Sequence, residues 1–274
     1  MNNAHPIPKN AHGRFYHLDC APGDLAPYIF TCGDPARARK IARHFDRIDL
    51  RRHNREFLTF TGAYHNIPVS AMATGIGAPA TAIAIIEAAN CVQPVTFIRL
   101  GTCGALQRNI NVGDLVITSS TLCRDGTTAS CLPADFIPQA HPAIIAALRQ
   151  AAADLKMPHH VGLTCTTADF YAGQGRAAPG FPAPDPEFLP NLAQAGVLNM
   201  EMEMAVYLAL AAASTYKIRA GGACLVLANR VRDTGFTSAQ AKRRGEKRLI
   251  EVGLRALKIL AAQDMSDNAS PTGP

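Results

Sequence analysis

The sequence contains no tryptophan, and aromatic residues make up only 6% of its 274 positions. That scarcity removes the stacking platforms on which a single-stranded nucleic-acid groove depends. No uninterrupted apolar run reaches membrane-spanning length, so neither a spanning helix nor a membrane partner is expected. The opening residues, MNNAHPIPKNAHGRFYH, lack an apolar h-region and do not read as a secretory signal. Eight cysteines are present, yet they form no C-x-x-C and no Cys/His cluster of zinc spacing. No metal site is therefore expected. Scattered through apolar stretches such as IFTC and ACLVL, these cysteines read as small free hydrophobes in a reducing cytoplasm.

What is present is globular material: 48% hydrophobic and 18% charged residues, enough for one sizeable core. The net charge of +6 invites a nucleic-acid partner. However, the basic residues collect in two segments that read as helical, 37–55 and 242–255, with Phe45 the one aromatic among them. Solvated helix faces explain them better, and an anionic small substrate suits the same balance.

Strand-like and helix-like runs alternate along the chain. PYIFTC reads as a strand; Asp34-Pro35 then supplies an N-cap and a proline at the first helical position. EFLTFTG and IPVSAMAT flank a turn at AYHN and read as a hairpin. Gly75-Ile76-Gly77 opens an apolar helix, and PVTFIRL reads as a strand ending in a turn at Gly101-Thr102-Cys103-Gly104. Further strands are expected at DLVITSS, HHVGLTCTT, AGVLNM and IRAGGACLVLAN. Helices are expected at HPAIIAALRQAAADL, from Glu201, and over 238–262. This alternation predicts an α/β sheet covered on both faces. One domain is expected over 12–264, with an N-terminal extension at 1–11 and a disordered tail at 265–274. Residues 177–190 carry five prolines and read as a loop or lid.

In an open α/β sheet, ligands collect where strands end and helices begin. Gly33 lies at such a junction, where free N–H groups favour an anion. Arg99 lies inside an apolar strand and needs an acidic partner or a bound anion. Taken singly, each of these features also fits a purely structural role, and Arg37 and Arg55 also fit ordinary surface positions.

Their order along the chain is more specific. HL, GDPARARKIA, NREF, ATGIGAPATAIAIIEA, FIRLGTCGALQRNINVGDLVIT, DFYAGQGR, GVLNMEMEMA and VLANR together resemble the nucleoside phosphorylase family, and within it the uridine phosphorylase branch, over about 15–262. The resemblance implies a three-layer α/β/α sandwich around a mixed, distorted sheet. It also implies a homo-oligomer, a dimer or trimer of dimers, with active sites shared between subunits.

The resemblance assigns inorganic phosphate, the co-substrate, to Gly33, Arg37, Arg99 and Thr102, with Arg55 reaching in from a neighbouring subunit. It assigns the sugar to Glu203 and Met202, with His17 donated by the partner, and places Thr102 and Gly104 against the nucleoside. Gln174 and Arg176 match the residues that read the uracil edge, Phe170 would stack on the ring, and Arg230 would lie near the base O4. Arg99, Gln174, Arg176 and Glu203 carry the catalysis on this reading, and no cofactor is implied. A purine-specific relative would carry an aspartate after the last core strand, where this chain has Asn229-Arg230. Three departures stand out: Cys103 after Thr102, Ala80 where relatives place a cation-binding serine, and an Ala/Pro-rich segment after Arg176. A purine phosphorylase, a water-using nucleosidase and a non-catalytic nucleoside-binding protein are the rival readings.

Overall fold

The computed structural model describes residues 6–269. Nine strands form one mixed sheet. β1 (Tyr28–Cys32) lies between β4 (Ile67–Ala73) and β5 (Val95–Ala105), parallel to both. β3 (Phe57–Tyr64) pairs antiparallel with β4, and β2 (Arg47–Asn54) pairs antiparallel with β3 at the edge. On its other side β5 runs parallel to β9 (Ile218–Asn229) along its whole length. Near its C-terminal end β5 also pairs antiparallel with β8 (Asn199–Glu201). β6 (Leu115–Arg124) and β7 (His159–Thr167) complete the circuit from β9 back to β8. The sheet therefore closes on itself through β5, and this closure is the distortion that the family resemblance implies.

Helices cover both faces. α1 (Pro35–Ala42), α3 (Pro142–Asp154) and α6 (Ala239–Ala269) pack on one apolar cluster that includes Phe30, Ile98, Leu100, Leu148 and Leu257. α2 (Ala78–Cys91) and α5 (Met204–Ala213) pack on the other, around Phe57, Met72, Phe97 and Tyr207. Each fully buried side chain of this size contributes about 1.5–3 kcal/mol of hydrophobic stabilisation. The three-layer sandwich follows from apolar faces on both sides of one sheet. A short α4 (Phe188–Gln194) follows the proline-rich segment and packs on a small separate cluster.

Several elements differ from the sequence expectations. Residues 47–54, read within a basic helical segment, form edge strand β2, because Ile48 and Leu50 sit in an extended stretch that β3 can pair with. The expected turn at 101–104 is the continuation of β5. Gly101 serves close packing there: a Cβ would lie 2.7 Å from Cys224 Sγ and 2.9 Å from the Arg99 guanidinium. α5 begins at Met204 rather than Glu201. Pro190 is helical, in the first turn of α4, where a missing N–H costs nothing. α6 runs on through 265–269, which were expected to be tail, since no proline or glycine interrupts it before Pro271. Residues 270–274 lie outside the described residues. Of the expected N-terminal extension, residues 1–5 also lie outside them, while Lys9 bridges to Phe15 and Ile7 packs against the second core cluster.

Candidate active site

Local chemistry brings the functional side chains to one end of the strands. The Asp34 side chain accepts from Ala36 N–H at 2.8 Å, capping α1, and Pro35 fixes its first turn. This cap holds Gly33 and Arg37 at the C-terminal end of β1, where the N-terminus of α1 favours an anion. Beside them a cavity of about 500 Å³ opens over the ends of β5 and β9. Contacts divide its lining into two sets, its two ends: Gly33, Arg37, Arg99 and Thr102, with Glu203 bonded to Arg99, and Phe170, Gln174 and Arg176, which contact one another; Gly104 and Met202 line it too. These ten residues, far apart in sequence, were all assigned to one site from the resemblance.

Both arginines at the first end are buried and ion-paired. Arg37 donates to Glu246 at 2.9 Å and to the Leu100 carbonyl at 3.1 Å, and Lys40 closes on the same Glu246 at 2.6 Å. The Arg37 Nε is buried with no partner among the described residues. Burial pushes the Glu246 carboxyl up, but hydrogen bonds from Lys40 and Arg37 outweigh it and hold its pKa below the ordinary value. Arg99 donates through Nε to Glu201 at 3.1 Å, and its Nη2 meets both Glu201 at 2.9 Å and Glu203. Burial opposes this charge, yet Glu203 and Glu201 raise the Arg99 pKa well above its usual value.

The two glutamates of Glu201-Met202-Glu203 divide the work. Glu201 accepts from Arg99, from the Thr166 hydroxyl and from the N–H groups of Glu203 and Met204. It is a saturated structural carboxylate that caps α5 and orients Arg99. Glu203 accepts from Gly77 N–H at 2.7 Å and from Arg99. Burial raises its pKa, Arg99 partly offsetting this and Glu201 adding to it. Of the pair, Glu203 is the one with capacity left for a ligand hydroxyl.

The second end is organised differently. Asp169 accepts from Gly173 N–H at 2.7 Å and Tyr171 N–H at 3.1 Å, folding the loop into a 3-10 turn at Ala172–Gln174. These bonds, Gly173 first, lower the Asp169 pKa. Gly175 follows at φ +66°, a left-handed conformation that glycine adopts freely. Gln174 is thereby buried; its amide donates to the Thr167 hydroxyl at 3.0 Å and its carbonyl accepts from Arg176 at 2.7 Å. Arg176 also donates to the Phe170 carbonyl at 2.7 Å and lies 4.0 Å over the Phe170 ring. One Phe170 face is thus occupied by the guanidinium. Burial, then repulsion from Arg230, lowers the Arg176 pKa to about 10, which leaves it charged at neutral pH.

Three expected residues do not line the cavity. Arg230 braces the loop, donating to the Gly175 carbonyl at 3.2 Å, and its aliphatic stem lies against the cavity-lining Gly104. His17 contacts buried Glu87 at 2.7 Å, and Glu87 also accepts the Leu18 N–H at 2.8 Å. Arg55 sits at φ +53° in the β2–β3 turn with its guanidinium 6.0 Å over the Tyr16 ring, while Asn54 donates to the carbonyls of Tyr16 and His17. His17 and Arg55 therefore share one patch outside this chain's own cavity.

Sequence reasoning missed Phe236 and Lys242, which line the cavity, and Glu246, which anchors Arg37. Their signal is weak: a phenylalanine in a polar loop, and two charged residues on a charged helix. The buried Asn229 donates to the Gln107 and Ile110 carbonyls and accepts from Val231 and Arg232 N–H groups, so it is committed to holding the loop after β9. No group of three or more His, Cys, Asp or Glu side chains among the described residues is arranged to hold a metal ion.

A family model described as the Phosphorylase superfamily matches residues 27–258. The chain is 41% identical over 261 residues to a uridine phosphorylase of Thermococcus kodakarensis, covering 94% of this chain and 90% of that protein. It is 33% identical over 250 residues to a uridine phosphorylase of Treponema pallidum, covering 91% and 95% respectively. A solved structure from a structural and catalytic analysis of two diverse uridine phosphorylases of the oomycete Phytophthora capsici aligns with a TM-score of 0.81 at 25% identity, covering 94% of this chain and 97% of that one. A cavity lined by arginines and a buried carboxylate, carried on this sheet and matched over most of the sequence, places the chain in the phosphorylase superfamily, in its uridine phosphorylase branch.

Proposed function

We propose that this chain splits uridine with inorganic phosphate, giving uracil and ribose 1-phosphate. The observation that supports it best is the division of the cavity lining: arginines, a helix N-terminus and Glu203 in one set, a hydrogen-bonding amide and arginine in the other. Phosphate belongs with Gly33, Arg37, Arg99 and Thr102, since several guanidiniums and free N–H groups suit a dianion. The ribose hydroxyls belong with Glu203, with Met202 packed beside the sugar. The uracil edge, with acceptors at O2 and O4 and a donor at N3, matches the Gln174 amide and the fixed donors of Arg176.

A phosphate oxygen attacks C1′ as the electron pair of the glycosidic bond leaves with the base. Catalysis is by positioning and electrostatics. The phosphate dianion faces the developing sugar cation, and Gln174 and Arg176 face the charge growing on uracil. Because Arg37 and Arg99 are already paired with Glu246, Glu201 and Glu203, one chain alone supplies little surplus positive charge for phosphate. Arg55 supplies further positive charge for phosphate across a subunit boundary, and His17, grouped with it on the same separate patch, serves the sugar, which makes the working unit at least a dimer.

The test is phosphate-dependent release of base from uridine, thymidine, inosine and methylthioadenosine. Uracil released from uridine only with phosphate present is the expected result. Release without phosphate overturns phosphorolysis, turnover of inosine alone overturns the pyrimidine assignment, and binding without turnover overturns catalysis.

A further inference from the structure

The base end of the cavity holds a cation without a carboxylate partner. Arg37 and Arg99 are each ion-paired, whereas Arg176 makes no salt bridge to any described residue. Its hydrogen bonds go to two neutral acceptors, the Phe170 carbonyl and the Gln174 side chain. Two aromatic rings complete its surroundings. The guanidinium lies 4.0 Å from the Phe170 ring centre and 5.5 Å from that of Phe236. The rings are 6.2 Å apart and tilted by 31°, so the cation occupies one corner of a triangle whose other corners are aromatic.

Phe236 is delivered to this place by its loop. The Thr234 hydroxyl accepts from Asn229 N–H at 2.7 Å, Thr234 N–H donates back to the Asn229 carbonyl at 3.0 Å, and Thr237 N–H donates to the Leu227 carbonyl at 2.9 Å. These bonds fold the chain back over the end of β9. The Phe236 ring stays 59% exposed, so core packing does not account for its position. None of residues 177–190, expected from sequence to form a lid, lines the cavity, whereas Phe236 does.

We propose that Phe236 is a positioning residue for the base site, holding Arg176 by its ring face so that the guanidinium edge stays directed at the base oxygens. The proposal rests on the pyrimidine reading above. A carboxylate could hold Arg176 as firmly, but it would neutralise the charge needed as negative charge grows on the departing base. A ring face attracts the cation through its quadrupole and leaves the Nε and Nη2 donors, which Nη1's two bonds do not use, free.

The experiment compares Phe236→Leu, which keeps apolar bulk without a π face, with Phe236→Tyr, which keeps the face. Leucine is expected to lower kcat for uridine by about three- to fivefold with KM nearly unchanged, as loss of a cation–π contact at an exposed site predicts. Tyrosine is expected to stay within about twofold of the parent, and both variants should unfold at the parent temperature because the site is exposed. Adding Phe236→Leu to Arg176→Ala should cost nothing further, since the first acts through the second. Equal activity of the leucine and tyrosine variants, or additive losses in the double variant, overturns the proposal. Crystal structures supply a readout independent of turnover: Arg176 should leave the Phe170 ring in the leucine variant and stay in the tyrosine variant, and an unmoved Arg176 in both also overturns it. A parent protein that fails to cleave uridine overturns the substrate reading instead, while the structural comparison still decides the role of Phe236.

Discussion

The two ends of the cavity use arginine in opposite ways. At the phosphate end, Arg37 and Arg99 are buried against carboxylates, so their positions are fixed by ion pairs and their charge is largely balanced. At the base end, Arg176 is half-buried among neutral acceptors and rings and makes no salt bridge among the described residues, the Asp169 carboxylate acting on it only at a distance. The first arrangement is tied into folding stability, because removing either partner strands a buried charge. The second is nearly detached from it. An anion that binds at the first end has to share cations already engaged, whereas charge arising late in the reaction at the second end meets one that is free.

The largest expected effect is that of Arg99→Ala, which leaves Glu201 and Glu203 facing each other in the interior. Loss of about 3–5 kcal/mol of stability is expected from breaking a buried pair, along with loss of uridine turnover; urea unfolding and a phosphorolysis assay measure both. Arg176→Ala should separate the two quantities. Transition-state stabilisation should fall by about 2–4 kcal/mol, as for loss of an oxyanion donor, with the melting temperature almost unchanged. A large drop in melting temperature there would erase the contrast between the ends.

Smaller and more diagnostic is the pH dependence of the two carboxylates. Glu246 has its folded pKa depressed, so the stability it contributes is present above the ordinary glutamate value of 4.5 and lost as pH falls through its lower folded value. Glu246→Gln should therefore destabilise at pH 7 and converge with the parent in acid. Glu203 has its folded pKa raised, so its contribution is present below the ordinary value of 4.5 and lost as pH rises through the folded value. Glu203→Gln should consequently cost less stability at pH 7 than Glu246→Gln, while abolishing most turnover. Thermal melts of both variants from pH 4 to 8 test the pair.

The smallest effect belongs to Lys242→Ala. Lys242 is exposed on the rim of the cavity. Its loss should raise the KM for phosphate by about twofold and reduce the salt dependence of that KM, as for a screened surface charge. A change in kcat would mean that it acts in the chemistry and not at the rim.

Much of the fold is legible wherever local chemistry decides it. Asp34-Pro35 announces the start of α1 by its own capping, and the hairpin at AYHN is written in turn formers between β-formers. β2 is less legible because four of its eight residues are basic, a composition that suits a solvated helix equally well until β3 offers a partner. The run Gly101-Thr102-Cys103-Gly104 looks like a turn because glycine has two uses, and only the packing of Cys224 and Arg99 against Gly101 shows which applies. In the site, ten of the residues assigned by resemblance line one cavity, while His17, Arg55 and Arg230 lie off it although they too belong to matched motifs. Glu246, Phe236 and the ordering role of Asp169 escape because each acts through contacts that spacing along the chain does not encode.

The closure of the sheet through β5 has a consequence for how copies of this chain behave when concentrated. With β9 and β8 both paired to β5, β2 is the one strand among the described residues that pairs with a single neighbour. That strand carries Arg47 and Arg51 exposed, with Asp49 between them. Charges along an open edge repel a second strand that would otherwise extend the ladder into an aggregate. A chain that is 48% hydrophobic thus carries an open sheet edge on the most arginine-rich of its described strands.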